Sequence, residues 1–313
     1  MATQETKQLD EIISSRRAMM TLGGAALAGL MLTGTAKADT AITDTDVLNF
    51  ALNLEYLEAQ FYNLAAFGIT IDKLPTPIPV AVNGGTAGTV TLKPSFAKVP
   101  FSNPLIADYA TETAVEEGKH VKFLQNALGS KAVSMPDIDL STSFNTLAMA
   151  AGIGPALDPF DKDADFLVGA YIFEDVGVTA YHGAAAAITD KSTLGAAAGI
   201  LAVEAYHAGL IRTTINQLDA GSGALASLTQ KISATRSKLA NPSGSPIDDI
   251  GLTTVSVSLN GSGSGASATT FVDADANSMA FARTPAQIIQ IVTGGSSTNK
   301  GVFFPSGLNG TIK

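Results

Sequence analysis

Apolar positions recur with a helical period in four long stretches, each bounded by glycine, proline or a short polar turn. Residues 48–67 read as an amphipathic helix that Asp44 or Thr45 can cap and Gly68 can end. Asn103 and Pro104 open a second helix running to about Leu128 and closed by Gly129. The third covers about 162–188. The turn at 189–192 is so brief that the fourth helix, 193–219, must run antiparallel to the third. A short helix near 144–151, inside the connection from Ser130 to Asp161, and a weaker one at 225–239 complete the helical pattern. The fold this predicts is all-α, built on a four-helix bundle.

Two regions break the rhythm. Between 69 and 103 the chain carries Pro75, Pro77, Pro79, Gly84, Gly85, Gly88, Pro94 and Pro100, and its Val, Thr and Ile content suggests a β-hairpin around Asn83-Gly84. It reads as an insertion after the first helix. Beyond Asn241 the texture turns Gly/Ser-rich, with a flexible loop by composition at 259–265 and a helix expected at 278–292, where Thr284 can cap and Pro285 suits the first turn. Phe271, Phe281, Phe303 and Phe304 supply apolar anchors, so this segment reads as a mostly irregular extension wrapping on the bundle. The expected organisation is 1–38, 39–240 and 241–313.

The first segment has the parts of an export signal: Arg16-Arg17, a Gly/Ala/Leu-rich apolar stretch to about Gly34, and Ala36-Lys37-Ala38 before Asp39. The apolar stretch is short for a membrane anchor. Paired arginines point to the twin-arginine route, which moves proteins already folded around their cofactors, so a periplasmic or secreted location is expected. Loss of 1–38 removes Lys7, Arg16, Arg17 and Lys37 against Glu5, Asp10 and Glu11, leaving 15 basic and 25 acidic residues and a net charge of −10. Such a chain has no electrostatic footprint for nucleic acid or anionic lipid. The absence of cysteine excludes disulfides, thiolate metal sites and Cys nucleophiles.

Chemistry concentrates in the histidines. There are three, and two of them close the same word, Glu117-Gly118-Lys119-His120 and Glu204-Ala205-Tyr206-His207. Residues three apart lie about 60° apart around a helix, so both side chains can reach one metal ion. The first and third helices each carry a glutamate followed seven residues later by a tyrosine, Glu55 with Tyr62 and Glu174 with Tyr181; seven residues is close to two turns, so each pair shares a stripe. The chain thus reads as a doubled unit whose halves, facing across a pseudo-twofold axis, would bring four carboxylates and two imidazoles together. Two divalent ions carry the charge that Glu55, Glu117, Glu174 and Glu204 balance. Apolar neighbours such as Leu54, Val121, Phe173 and Val203 leave only Lys119 and Arg212 to offer positive charge nearby, and unpaired buried acids are costly, which favours a cation. Oxygen-rich ligation with imidazole and no thiolate favours iron or manganese, with zinc a substitute.

Several assignments stay open at this level. Glu58 competes with Glu55. Glu112 and Glu116 read as solvated or supporting residues, and His182 as an extra ligand or a hydrogen-bonded histidine. Tyr62 and Tyr181 are candidate catalytic residues, able to hydrogen-bond a bridging carboxylate or act as redox-active neighbours, or else ordinary buried aromatics.

At these residues the chain resembles the ferritin-like superfamily, and more closely exported ferritin-like proteins related to plant desiccation-related proteins. The resembling segments are 48–62, 117–124, 174–181 and 200–212, with 281–287 and 303–310 similar to that family's C-terminal extension. The resemblance implies a ferritin-like four-helix bundle with Glu55, Glu117, His120, Glu174, Glu204 and His207 at ligand positions. The superfamily spans ferroxidases, storage cages, peroxidases, manganese catalases and oxygen-activating enzymes; the long insertion and tail argue against a hollow cage. Three functions are therefore expected to compete: oxidation of Fe(II) or detoxification of peroxide in stress protection, manganese catalase activity, and a non-catalytic desiccation or stress role in the cell envelope with a structural or vestigial metal site. Metal ions and oxygen or peroxide are the expected partners, and a homo-oligomer stays open.

Overall fold

The computed structural model describes residues 42–244, 248–257 and 266–313. The expected signal, 1–38, and the Gly/Ser-rich loop, 259–265, lie outside the described residues. Helix α1 (Asp44–Phe67) starts earlier than its apolar pattern suggests, because Thr43 and Asp46 form a capping box: the Asp46 amide donates to Thr43 Oγ1 and the Thr43 amide to Asp46 Oδ2. Gly68 ends it at φ 74°. Helix α2 (Pro104–Leu128) follows Asn103, whose side chain accepts from the Leu105 amide. After the short α3 (Ser143–Ala150) come α4 (Asp163–Ala185) and α5 (Lys191–Asp219), then α6 (Ala224–Ala240) and α7 (Pro285–Val292). Asp190 caps α5 by accepting from the Thr193 amide. Helix α7 is shorter than expected: the Thr284–Gln287 capping box fixes its start, and upstream the chain is extended, with Ala280 bridged to Ala274.

Helices α1 and α2 pack as one hairpin and α4 and α5 as another. Asn49, Tyr56 and Asn63 of α1 meet Lys131, Gln125 and Ala114 respectively, so α2 runs antiparallel to α1. The amphipathic reading of α1 is corrected by its surroundings, because every residue from Val47 to Ala65 is buried. Its polar side chains on the covered faces hold neighbouring backbone: Asn49 the Lys131 carbonyl and Val133 amide, Gln60 the Ile71 amide, Asn63 the Ala114 carbonyl, Asn53 both backbone groups of Asn309. Phe61 sits beside Tyr62, Phe144, Phe160, Phe166 and Phe173 at centroid separations of 5.0–5.9 Å. Each such buried ring contributes about 1.5–3 kcal/mol.

The expected hairpin around Asn83-Gly84 does not form. Asn83 and Gly84 make a turn with positive φ, but Asn83 donates to the Gly129 and Ala132 carbonyls, and β1 (Val90–Thr91) pairs in parallel with β2 (Ile138–Asp139) from the α2–α3 connection. The two long connections satisfy each other's backbone, with Met135 donating to Val80 and Gly88 to Met135.

The C-terminal segment carries an antiparallel pair, β3 (Thr254–Val257) with β4 (Ala266–Thr269), which the sequence pattern did not announce. Phe303 packs on Phe144 and Phe173, and α7 packs on α4 and α6. A buried ionic network joins the segment to the bundle: Arg212 and Arg236 pair with Asp175 at 2.9 and 3.0 Å, and Arg236 and Arg283 with Asp249 at 2.7 and 2.9 Å. Helix α5 has the length and apolarity of a membrane span, yet Glu204, His207 and Arg212 on it are all buried within the bundle.

Candidate metal centre

Glu55 and Glu58 come from α1, Glu117 and His120 from α2, Glu174 from α4, and Glu204 and His207 from α5. Six of these seven form two groups capable of holding a metal, in each of which one donor atom per residue lies within 4.8 Å of the others. The first is Glu55, Glu117, His120 and Glu204; the second is Glu117, Glu174 and His207. His120 Nδ1 stands 3.2 Å from Glu55 Oε2, 3.3 Å from Glu117 Oε2 and 3.6 Å from Glu204 Oε1. His207 Nδ1 stands 3.1 Å from Glu117 Oε1 and 3.4 Å from Glu174 Oε2. Glu117 therefore belongs to both groups and turns one oxygen to each.

The donor set fits a pair of cations. Glu55 Oε2, Glu117 Oε1, Glu174 Oε2, both Glu204 oxygens and His207 Nδ1 are buried without a well-formed hydrogen bond. Buried carboxylate oxygens in that condition are costly unless a cation takes them. Among the described residues no lysine or arginine supplies the charge: Lys119 is exposed, and Arg212 is committed to Asp175. Space is reserved as well, since a Cβ on Gly177 would lie 2.1 Å from Glu204 Oε2.

The tyrosines cross over between the halves. Tyr62, two turns beyond Glu55, donates to Glu174 Oε1; Tyr181, two turns beyond Glu174, donates to Glu55 Oε1. Each holds a carboxylate confined to one group, whereas Glu117, the carboxylate common to both groups, meets the two imidazoles. His182 stands apart, its Nδ1–H donating to the Phe281 carbonyl at 3.1 Å.

In the chain alone protons compensate the cluster. Burial raises Glu55 to about 7, and raises Glu174 above the ordinary carboxylate range. Burial, reinforced by the Glu117 charge, holds Glu58 and Glu204 well above it. Burial would lower His120, but the Glu55 and Glu117 carboxylates push it up to about 12; His207 is raised by Glu174 and Glu117 in the same way. Glu117 itself is lowered, burial being outweighed by its bonds to the two imidazoles. Carboxyls raised in this way would have to release their protons for cations to bind.

The ferritin-like domain family matches residues 43–217, a span that contains every residue of both groups. The chain belongs to the ferritin-like family. This ferritin-like protein is 30% identical over 262 residues to a desiccation-related protein of Craterostigma plantagineum, covering 81% of this chain and 78% of the relative. It is 26% identical over 277 residues to a ferritin-like catalase of Nesocodon mauritianus, covering 86% and 84%. No solved structure matches it significantly.

Two further acids beside the ferritin-like centre take places among those their sequence reading left open. Glu116 accepts from His207 Nε2 at 2.8 Å and so holds the outer nitrogen of that imidazole. Its place beside Glu117 is the only sequence signal for this role. Glu58, the rival to Glu55, is in neither metal-capable group although it is only 5% exposed.

Proposed function

We propose that this ferritin-like protein is a di-metal carboxylate oxidoreductase that uses iron or manganese to react with dioxygen or peroxide, oxidising Fe(II) or removing peroxide under stress. The observation that carries the proposal is the convergence of orphaned Glu55, Glu117, Glu174 and Glu204 oxygens and two imidazoles on two groups sharing Glu117. When bound, a pair of such ions supplies reversible electron transfer that these side chains lack. The chain contributes the rest. Four carboxylates balance four positive charges, and Glu117 couples the two positions. Tyr62 and Tyr181 keep Glu174 and Glu55 oriented, Glu116 fixes the tautomer of His207, and burial keeps bulk water away. Zinc fits the same donors and would give a filled but redox-silent protein.

Aerobic addition of Fe(II) to the purified protein tests the oxidase branch: the wild type should oxidise it faster than a Glu117→Ala, His207→Ala variant. Equal rates would remove that branch. Oxygen evolved from peroxide by the manganese-loaded protein would select catalase, the activity named for the Nesocodon relative. Failure of both would leave the third reading, a non-catalytic stress protein with a structural metal, which the likeness to a desiccation-related protein favours. Export by the twin-arginine route is part of the proposal, supported by Arg16-Arg17 and the small residues Ala36 and Ala38. Replacing both arginines with lysine should retain the protein in the cytoplasm, and unimpaired export would refute the route.

A further inference from the structure

A cavity of about 20 Å³ lies between α1, α4 and the C-terminal segment, with Leu54, Glu58, Val176, Gly177, Val292 and Phe303 among its walls. All of these residues are buried. Glu58 brings the one polar side chain among the lining residues, and it makes no hydrogen bond or ion pair among the described residues. Such a volume admits one water-sized molecule, and a single polar group in an apolar wall gives that molecule something to bond. A metal ion is a poor occupant, because one carboxylate cannot complete a coordination shell. The cavity adjoins the metal centre: Gly177 forms part of the wall, and a side chain there would collide with Glu204 Oε2 at 2.1 Å. A second cavity of similar size, between α1, α4 and α5, has only apolar residues and Tyr181 on its walls, and Tyr181 already spends its hydroxyl on Glu55. The two cavities differ in one respect that matters, an unspent hydrogen-bonding group.

We propose that the Glu58 cavity is the docking chamber for a single molecule of hydrogen peroxide, with Glu58 as its hydrogen-bonding anchor and the C-terminal segment as its roof. This rests on the di-metal reading above and adds the place and the size limit of the substrate. Peroxide donates and accepts hydrogen bonds, is uncharged, and is little larger than water; alkyl peroxides are too bulky for the chamber. Val292 and Phe303 supply part of its walls, which gives the segment after the bundle a part in forming the site.

The test compares the full chain, loaded with manganese or iron, with Glu58→Leu and Glu58→Gln. Both variants should keep the wild-type metal content; loss of metal from either would make Glu58 a ligand and overturn the proposal. The peroxide concentration giving half-maximal consumption should rise about tenfold or more in Glu58→Leu, the equivalent of one lost hydrogen bond, and stay within about threefold in Glu58→Gln. An unchanged value in Glu58→Leu would overturn it. A crystal structure of the loaded wild type should show an ordered oxygen atom bonded to Glu58, absent in Glu58→Leu, and a dry chamber would overturn it too. Should the wild type consume no peroxide, the peroxide branch of the di-metal reading fails while its Fe(II) branch stands, and an empty chamber beside Glu58 would then overturn the binding of any small polar molecule there.

Discussion

His120 and His207 close matching words, yet only His207 has its outer nitrogen held by a carboxylate. Glu116 immediately precedes Glu117 and reaches across to His207, whereas the residue at the matching place before Glu204 is Val203, which has nothing to offer His120. The two metal-capable groups are therefore unequal despite the repeated pattern. Glu116→Ala should weaken binding at the Glu117, Glu174 and His207 position by about 10–100-fold while sparing the other, so that a titration followed by calorimetry separates into two more widely spaced steps. A uniform loss at both positions would show that Glu116 acts on the bundle as a whole. The six ligand candidates were legible because the spacing of Glu and His within one helix fixes which side chains share a face. The partners of Glu116 and of the tyrosines were not, because they lie across helices, and sequence spacing carries no record of which helices meet.

Among elements, those bounded by local chemistry were the easiest to read: Gly68, Asn103 with Pro104, and Thr284 with Pro285 all mark the ends expected of them. The capping box at Thr43 escaped because its third position holds Asp46 in place of the usual Glu or Gln. Pairing of β1 with β2 joins segments almost fifty residues apart, a contact that no local turn signal encodes. The arginine and aspartate network was equally silent, since Arg212, Asp175 and Asp249 are scattered singly. How the C-terminal segment docks on α4 is visible at Gly183, where a Cβ would lie 1.9 Å from the Arg283 carbonyl oxygen. Gly183→Ala should therefore lift the segment holding Arg283 and destabilise the protein by about 1–3 kcal/mol. Limited proteolysis should then cut first after residue 240, whereas a wild-type digestion pattern would show that the contact is dispensable.

For the molecule as a whole, the proposed di-metal centre sets metal and protons in competition for the same oxygens. Removal of metal should lower the melting temperature by roughly 5–10 °C relative to protein held at about a hundredfold excess over Kd. An unchanged melt would count against the centre. The pH dependence follows from the direction of the shifts. Glu55, at about 7 in the folded metal-free chain, stabilises that chain below its unfolded value of 4.5 and loses this contribution as pH rises through about 7; raised Glu174, Glu204 and His120 act in the same direction. Metal-loaded protein behaves oppositely, because protons displace the cations as pH falls. The gap between loaded and metal-free melting temperatures should widen from about pH 5 to about pH 8. A constant gap would mean that the cations sit elsewhere.

Each hairpin, α1 with α2 and α4 with α5, brings one Glu-x6-Tyr helix and one Glu-x-x-His helix, and each tyrosine spends its hydroxyl on the opposite hairpin. A half-length ancestor with a single such hairpin would have lacked both the second imidazole and the partner for its own tyrosine. It could have completed the centre only by associating with an identical copy. Fusion of two copies into one chain would then have freed the halves to diverge, as Glu116 and Val203 have done.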